Sequence, residues 1–157
     1  MKTKLLLAIS FLLMVAVIGA GTATATPPLG LTSELLARGA AGDFSVKSEN
    51  FDFTIKAKDA TDLAMVKATL TANGYTGWHK HPGPSVVLVK QGTLTLREPH
   101  DGACASHTYG AGQAFVHPEG VHDFIAGSAG AEFFVTYFVP AGAAPLLTDA
   151  PAPQECV

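Results

Sequence analysis

Apolar and polar residues alternate with a period of two along most of the chain after position 50. Successive side chains of a β-strand point to opposite faces, so this pattern predicts strands with one buried face. Breaks rich in Gly, Pro and Asn separate the alternating segments roughly every 8–12 residues. Many short strands at that spacing are typical of an all-β sandwich or barrel. The alternating segments are 51–56, 64–71, 85–97, 113–117 and 131–139.

Both flanks of this region differ from it in composition. Residues 26–43 are rich in Pro, Gly and Ala, and we interpret them as an N-terminal extension before a β-domain at 44–140. Within the extension, 33–38 predicts one short helical turn, with Ser33 as its cap and Gly39 as its stop. Residues 141–157 are rich in Pro and Ala, which predicts an extended tail with little regular structure.

The first 25 residues have the layout of a secretory signal peptide. Lys2 and Lys4 precede an apolar run at 5–18, and small residues follow up to Ala25. The run is shorter than the ~20 residues that a membrane-spanning helix needs. We expect cleavage after Ala25 and a secreted or periplasmic protein; an uncleaved membrane anchor is the alternative.

Charge and length limit the partners of the remaining chain. The 157 residues carry a net charge of -3, and without the two signal-peptide lysines the charge becomes -5. The length suits one domain, and the basic residues are scattered, which argues against a nucleic-acid partner. No second long apolar run follows the first, so we expect no membrane association after cleavage.

The chain has two cysteines, Cys104 and Cys156. Export places them in an oxidising compartment, where a pair of cysteines is more often bridged than free. We therefore predict a disulfide that ties the tail to an internal loop. Two free or intermolecular thiols are the alternative.

Three of the six histidines form a candidate metal site. His79 and His81 stand two apart in a strand-like segment, so their side chains share one face, and His122 follows the stiff Pro118-Glu119-Gly120 corner. Three imidazoles suit a divalent transition metal such as Fe, Mn, Zn, Ni, Co or Cu. Around one ion their nitrogens should lie within about 4 Å of one another. Ordinary surface or core histidines are the alternative.

Two segments of the chain carry a resemblance to a known family. Residues 73–92 contain the His-x-His pair and close on Gly92, and residues 112–122 contain the Pro-x-Gly corner and His122. In this order they resemble the two sequence motifs of the cupin superfamily, and the chain is similar to its small single-domain (type-2-like) bacterial members. The resemblance spans about 51–139 and implies a small jelly-roll β-barrel with a ligand site inside it.

The chain departs from the family pattern at two places. A Glu usually follows the second His of the first motif by three or four residues, and Ser85 and Val86 stand there. In the second motif, Asp123 occupies the place where the His usually stands, so Asp123 is an alternative ligand to His122. The missing carboxylate leaves the site more cationic, which favours an anionic or enolic ligand.

The resemblance implies a protein that binds a divalent metal through His79, His81 and His122 and a small molecule in the barrel. Similar cupins include dioxygenases and isomerases; the alternative is a non-catalytic cupin that binds a small ligand without metal. Cupins often pair through sheet edges, so a homodimer is one expectation. Further candidates for contacting the ligand or the metal-binding histidines are His117, Gln113, Ser85 and Asp123.

Overall fold

The structure is a computed structural model that describes residues 25–157. The predicted signal peptide therefore lies, apart from Ala25, outside the described residues. Eight strands and a final 3₁₀ turn, Gln154–Cys156, make up the regular structure of the described part. The strands are β1 Leu29–Lys47, β2 Thr54–Tyr75, β3 His79–Lys80, β4 Ser85–His100, β5 Ala103–Gly110, β6 Ala114–His117, β7 Asp123–Pro140 and β8 Thr148–Asp149. The predicted all-β class is confirmed.

Six of these strands form one antiparallel sheet in the order β1-β2-β7-β4-β5, with β6 pairing to the beginning of β4. Strand β7 is central, because it pairs with β2 on one side and with β4 on the other. The short strands β3 and β8 form a second, two-stranded sheet. Among residues 25–157, no helix is long and apolar enough to span a membrane.

The core follows from the period-two pattern. In the second half of β7, Phe133, Val135, Tyr137 and Val139 are buried, whereas the residues between them are only partly buried. The apolar residues of β4 alternate in the same way. The inward side chains of both strands join one apolar cluster. Burying this apolar surface stabilises the folded sheet relative to the unfolded chain by about 25 cal/mol per Å².

Gly92 marks a point where two backbones approach closely. Its φ is +75°, and a Cβ at this position would lie 2.0 Å from the carbonyl oxygen of Gly130. A side chain is excluded there on both grounds. The glycine that closes the first motif thus allows β4 to change register against β7 between Gly92 and Leu94.

The helical turn predicted at 33–38 is wrong. These residues lie within β1, which runs from Leu29 to Lys47 across the predicted boundary at 43/44 and pairs with β2. Local composition favoured a helix, but residues 33–38 pair with β2 along one side, and long-range pairing overrides a weak local propensity.

The tail, residues 141–157, lies across the end of the sheet and is held at several points. Arg38 donates a hydrogen bond from Nη1 to the Ala143 carbonyl oxygen at 2.7 Å, and Asp149 of β8 pairs with His79 of β3. A disulfide joins Cys104 of β5 to Cys156, as predicted. The disulfide is compatible with an extracellular location.

Removing the disulfide should destabilise the protein. The bridge closes a loop of 52 residues, and loop-closure entropy alone gives about 4 kcal/mol for that length. We expect the double variant Cys104→Ser/Cys156→Ser to lose that much free energy of unfolding, measured by urea denaturation. Reduction of the wild type should give the same loss and leave the double variant unchanged. Equal stability of the oxidised and reduced wild type would contradict this account.

Candidate metal centre

Main-chain pairing brings the two histidine-bearing segments together. The His79 N–H donates to the His122 carbonyl oxygen at 2.9 Å, and the His122 N–H donates back to the His79 carbonyl oxygen at 3.0 Å. Residues directly opposite each other in such an antiparallel pair project their side chains to the same side. Positions 79 and 122, which are 43 residues apart in the sequence, therefore present neighbouring imidazoles.

His81 completes a cluster of three buried imidazoles. The ring centroids lie 4.4 Å apart for His79 and His122, 4.9 Å for His79 and His81, and 5.1 Å for His81 and His122. One ligand nitrogen from each residue lies within 4.8 Å of the other two, somewhat wider than the ~4 Å expected around a bound ion. The structure thus brings together the three histidines that the sequence analysis singled out.

Backbone carbonyl groups fix which nitrogen of each ring is available. The Nδ1 of His79 lies 2.7 Å from the Gly77 carbonyl oxygen. The Nδ1 of His81 lies 2.8 Å from the Leu146 carbonyl oxygen, and the Nδ1 of His122 lies 3.1 Å from the Gly120 carbonyl oxygen. A carbonyl oxygen only accepts, so each Nδ1 carries the proton and each neutral ring keeps a lone pair on Nε2. This arrangement is typical of metal-binding histidines.

Burial keeps the three imidazoles neutral, and one of their nitrogens lacks a hydrogen-bond partner in the described part of the chain. Burial lowers the pKa of His79, and it lowers the pKa of His81 to about 4. Burial, followed by the nearby His79, also lowers the pKa of His122. Among the described residues, the buried Nε2 of His122 has no hydrogen-bond partner. A neutral imidazole with an unpaired buried nitrogen is the form that binds a metal ion.

His117 lies directly beside this cluster. Its ring centroid is 3.9 Å from that of His122, and its side chain is almost fully buried on β6. Its Nε2 is 2.9 Å from a carboxylate oxygen of Glu98 on β4. His117 is not among the three residues whose nitrogens converge. The Glu98 contact was not predicted, because β6 pairs with the other end of β4, at Ser85–Leu88, and only the tertiary fold brings Glu98 to His117.

Asp123 is buried, but its oxygens already have protein partners. Oδ1 accepts a hydrogen bond from the Thr76 hydroxyl at 3.0 Å, and Oδ2 is paired with Arg97. Arg97 also lies over the Trp78 ring, with 5.1 Å from its guanidinium carbon to the ring centroid. The converging set contains His122 and not Asp123.

The remaining candidates lie at different distances from the cluster. Ser85 is buried at the start of β4, in register with His117 on β6 and Tyr137 on β7. No carboxylate takes the place of the family's Glu there. Gln113 lies in an exposed turn, where its Oε1 accepts a hydrogen bond from the Gly110 N–H. The structure therefore does not bring Gln113 to the histidines.

A cavity of about 220 Å³ opens beside His79. Its walls come from β1, β2, β7 and the tail, and they include Phe124, Tyr137 and Leu146. Tyr137 stacks obliquely against His81, with 4.5 Å between ring centroids. The histidine cluster thus adjoins a space that a small molecule can enter.

No family model matches the sequence, and no curated protein matches it either. Solved structures do match. A tryptophan variant of oxalate decarboxylase from Bacillus subtilis aligns with a TM-score of 0.51 and 20% identity, over 56% of this chain and 24% of that one. The Bacillus subtilis enzyme at pH 4.6 aligns with a TM-score of 0.50 and 19% identity, over 55% and 23%. This chain therefore spans about a quarter of the length of those proteins.

These likenesses define the fold. Oxalate decarboxylase is a cupin superfamily enzyme, so the aligned part of this chain has a cupin-type fold, as the two sequence motifs implied. The donor set fits a divalent transition metal, because three neutral imidazoles converge and one of their nitrogens is buried without a partner.

The metal-free protein should lose stability in acid. His81 has a pKa of about 4 when folded and 6.5 when exposed, so the unfolded chain takes up a proton at a pH where the folded chain does not. The stabilisation is complete above pH 6.5 and is lost as the pH falls towards 4, by about 3 kcal/mol. Urea denaturation of chelator-treated protein from pH 7.5 to 4.5 measures this loss in the free energy of unfolding. His81→Gln should reduce this dependence by the His81 contribution, while the buried His79 and His122 keep the remainder. The exposed His107→Gln should leave the dependence unchanged, and a curve unaltered by His81→Gln would contradict the assignment.

Asp123 should act in stability and not as a ligand. In Asp123→Asn the partly exposed Arg97 loses its partner, which we expect to lower the free energy of unfolding by about 2 kcal/mol. Metal content per folded protein should match the wild type. Asp101→Asn, on an exposed turn, is the matched control with no effect on either quantity. Loss of metal from Asp123→Asn with unchanged stability would instead make Asp123 a ligand.

Proposed function

We propose that this protein is an exported cupin-type protein that binds one divalent transition metal through His79, His81 and His122 and a small molecule in the adjoining cavity. One observation carries the proposal. The three Nδ1 atoms are all bonded to backbone carbonyl groups, so three Nε2 lone pairs are available in one place. Packing requirements alone do not call for three imidazoles in the same tautomer.

The protein groups around the site have separable roles. The carbonyl oxygens of Gly77, Leu146 and Gly120 orient the ligands, and the apolar surroundings exclude water. Glu98 holds a fourth imidazole, that of His117, against His122. A divalent ion held here supplies Lewis-acid or redox chemistry at the coordination positions that the three histidines leave open. This suits the dioxygenase or isomerase chemistry of similar cupins.

A specific observation favours the second candidate, a non-catalytic cupin that binds a small ligand without metal. No carboxylate stands at Ser85, and among residues 25–157 no Asp or Glu side chain lines the cavity beside His79. A carboxylate general base is therefore not supplied by those walls. The decarboxylation of oxalate named for the structural neighbours is not carried over, because no Lys or Arg of the described chain lines the cavity to hold a dianion.

Export accounts for the disulfide and for the sequence of the first 25 residues. Mass spectrometry of the protein recovered from the periplasm of a bacterial host measures signal-peptide cleavage and disulfide formation directly. We expect a chain that begins at Thr26 and carries an intact Cys104–Cys156 bridge. A cytoplasmic, full-length chain would refute this part of the proposal.

Metal content tests the central claim. We expect the mature protein, purified without a histidine tag, to carry about one transition-metal ion per chain by elemental analysis. His79→Ala and His81→Ala should each reduce this to below about one tenth, because two imidazoles hold a divalent ion far less tightly than three. The control His107→Ala removes an exposed histidine and should keep the metal.

Folding must be checked in the same samples. Retention of the Cys104–Cys156 disulfide and the wild-type circular dichroism spectrum show that a variant is folded. A folded wild type without stoichiometric metal, even after incubation with Zn²⁺, Fe²⁺ or Mn²⁺, would favour the metal-free candidate. Oxygen uptake by the metal-loaded protein with phenolic substrates then separates a dioxygenase from a binding protein.

A further inference from the structure

The cavity beside His79 is bounded mainly by hydrocarbon. Its apolar walls come from β1, β2, β7 and the tail, and none of the lining residues among the described part carries a formal charge at neutral pH. The apolar contacts include Leu31 and Leu35 of β1, Phe133 and Val135 of β7, and Leu146 and Leu147 of the tail. A ligand that fills this space must itself be mainly apolar.

Several charged groups on the strands around the site already have protein partners. Asp123 is paired with Arg97, and Arg38 is paired with Asp62 at 2.8 Å. Glu98 is occupied by His117. A ligand that places a carboxylate against the uncharged walls, away from the metal, buries it without a counter-charge, which costs several kcal/mol. The walls therefore favour a ligand whose part beyond the reach of the metal is uncharged.

The imidazole groups gather at the His79 wall of the cavity, and Ser33 and Thr76 are further polar residues of its lining. His79 lies in the wall, the His81 and His122 rings lie within about 5 Å of the His79 ring, and Tyr137 stands against His81. Three neutral imidazoles leave the charge of a divalent ion uncompensated, and Ser85 supplies no carboxylate in their place. One anionic oxygen on the ligand compensates half of that charge.

The volume limits the size of the ligand. An apolar cavity of about 150 Å³ accommodates benzene, so about 220 Å³ accommodates one ring with a short substituent, or about nine non-hydrogen atoms by proportion.

From these features, and building on the metal site proposed above, we infer that the ligand is a compact, monocyclic phenol or enol. Its single anionic oxygen faces the histidine end, and its apolar ring is held between Leu35, Phe133 and Leu147. The same walls disfavour a second anionic group that lies away from the metal.

Two probes with the same chelating group test the contribution of the apolar walls to binding separately from metal coordination. Isothermal titration of Zn²⁺-loaded protein with benzohydroxamate and acetohydroxamate compares a ring with a methyl group. Burial of about 100 Å² more apolar surface by the ring should make benzohydroxamate bind about 50-fold more tightly. Equal affinity for the two hydroxamates overturns the inference and leaves the metal site standing.

Two neighbouring leucines provide a matched pair of variants. Leu35 and Leu36 are both exposed on β1, by 54% and 44%, but only Leu35 lines the cavity. We expect Leu35→Ala to reduce the benzohydroxamate preference about 3-fold and Leu36→Ala to leave it unchanged. An identical effect of the two variants would show that the ring binds elsewhere.

Titration of metal-free protein with p-cresol distinguishes failure of this inference from failure of the metal site. If no metal loads but p-cresol binds, with weaker binding by Leu35→Ala and not by Leu36→Ala, the apolar ligand class is supported and the metal site is refuted. The ligand class is refuted if metal loads but the ring gives no advantage. In that case p-cresol binds no better than methanol, and benzohydroxamate binds no better than acetohydroxamate. Absence of both metal and p-cresol binding refutes both proposals.

Discussion

The reciprocal main-chain hydrogen bonds between His79 and His122 are the interaction on which the candidate site depends. They join the beginning of β7 to the short strand β3 and place two imidazoles side by side. Each histidine also directs its Nδ1 to a carbonyl oxygen two residues before it, at Gly77 or Gly120. The glycine backbones that make the local turns therefore also set the tautomers of the rings.

The third imidazole depends on the opposite end of the chain. His81 bonds through Nδ1 to the Leu146 carbonyl oxygen, and the tail that carries this group is held by Arg38, by the pairing of β8 with β3 and by the disulfide. Leu146 also lines the cavity. One segment thus orients the His81 ring, closes the cavity and is fastened by the covalent bridge. Changes in the tail should therefore reach the site through the His81 hydrogen bond, through the pairing of Asp149 with His79 and through the cavity wall.

Period-two alternation was enough to predict the all-β class, and the His-x-His pair with the Pro-x-Gly corner was enough to name the three converging residues. That residues 33–38 form part of β1 could not be predicted, because only their pairing with β2 makes this segment a strand. The Glu98–His117 contact and the engagement of Asp123 by Arg97 were also out of reach. The Arg97–Asp123 pair depends on the register of β4 against β7, which the hydrophobic pattern leaves undetermined to within steps of two residues. The Glu98–His117 contact joins residues that are not paired in any register and depends on the tertiary fold.

The unpaired nitrogen of His122 is the clearest sign that the cluster exists for a ligand. A buried polar atom without a partner costs about 1–3 kcal/mol, and the neighbouring histidines increase the cost of protonating it. An apolar side chain at position 122 would fill the same space without that penalty. The cost is recovered when the lone pair accepts a hydrogen bond or binds a metal ion, and protonation is disfavoured by burial. In the proposed site, a metal ion shared among three lone pairs would satisfy the nitrogen, and an anionic oxygen on the ligand would compensate part of its charge.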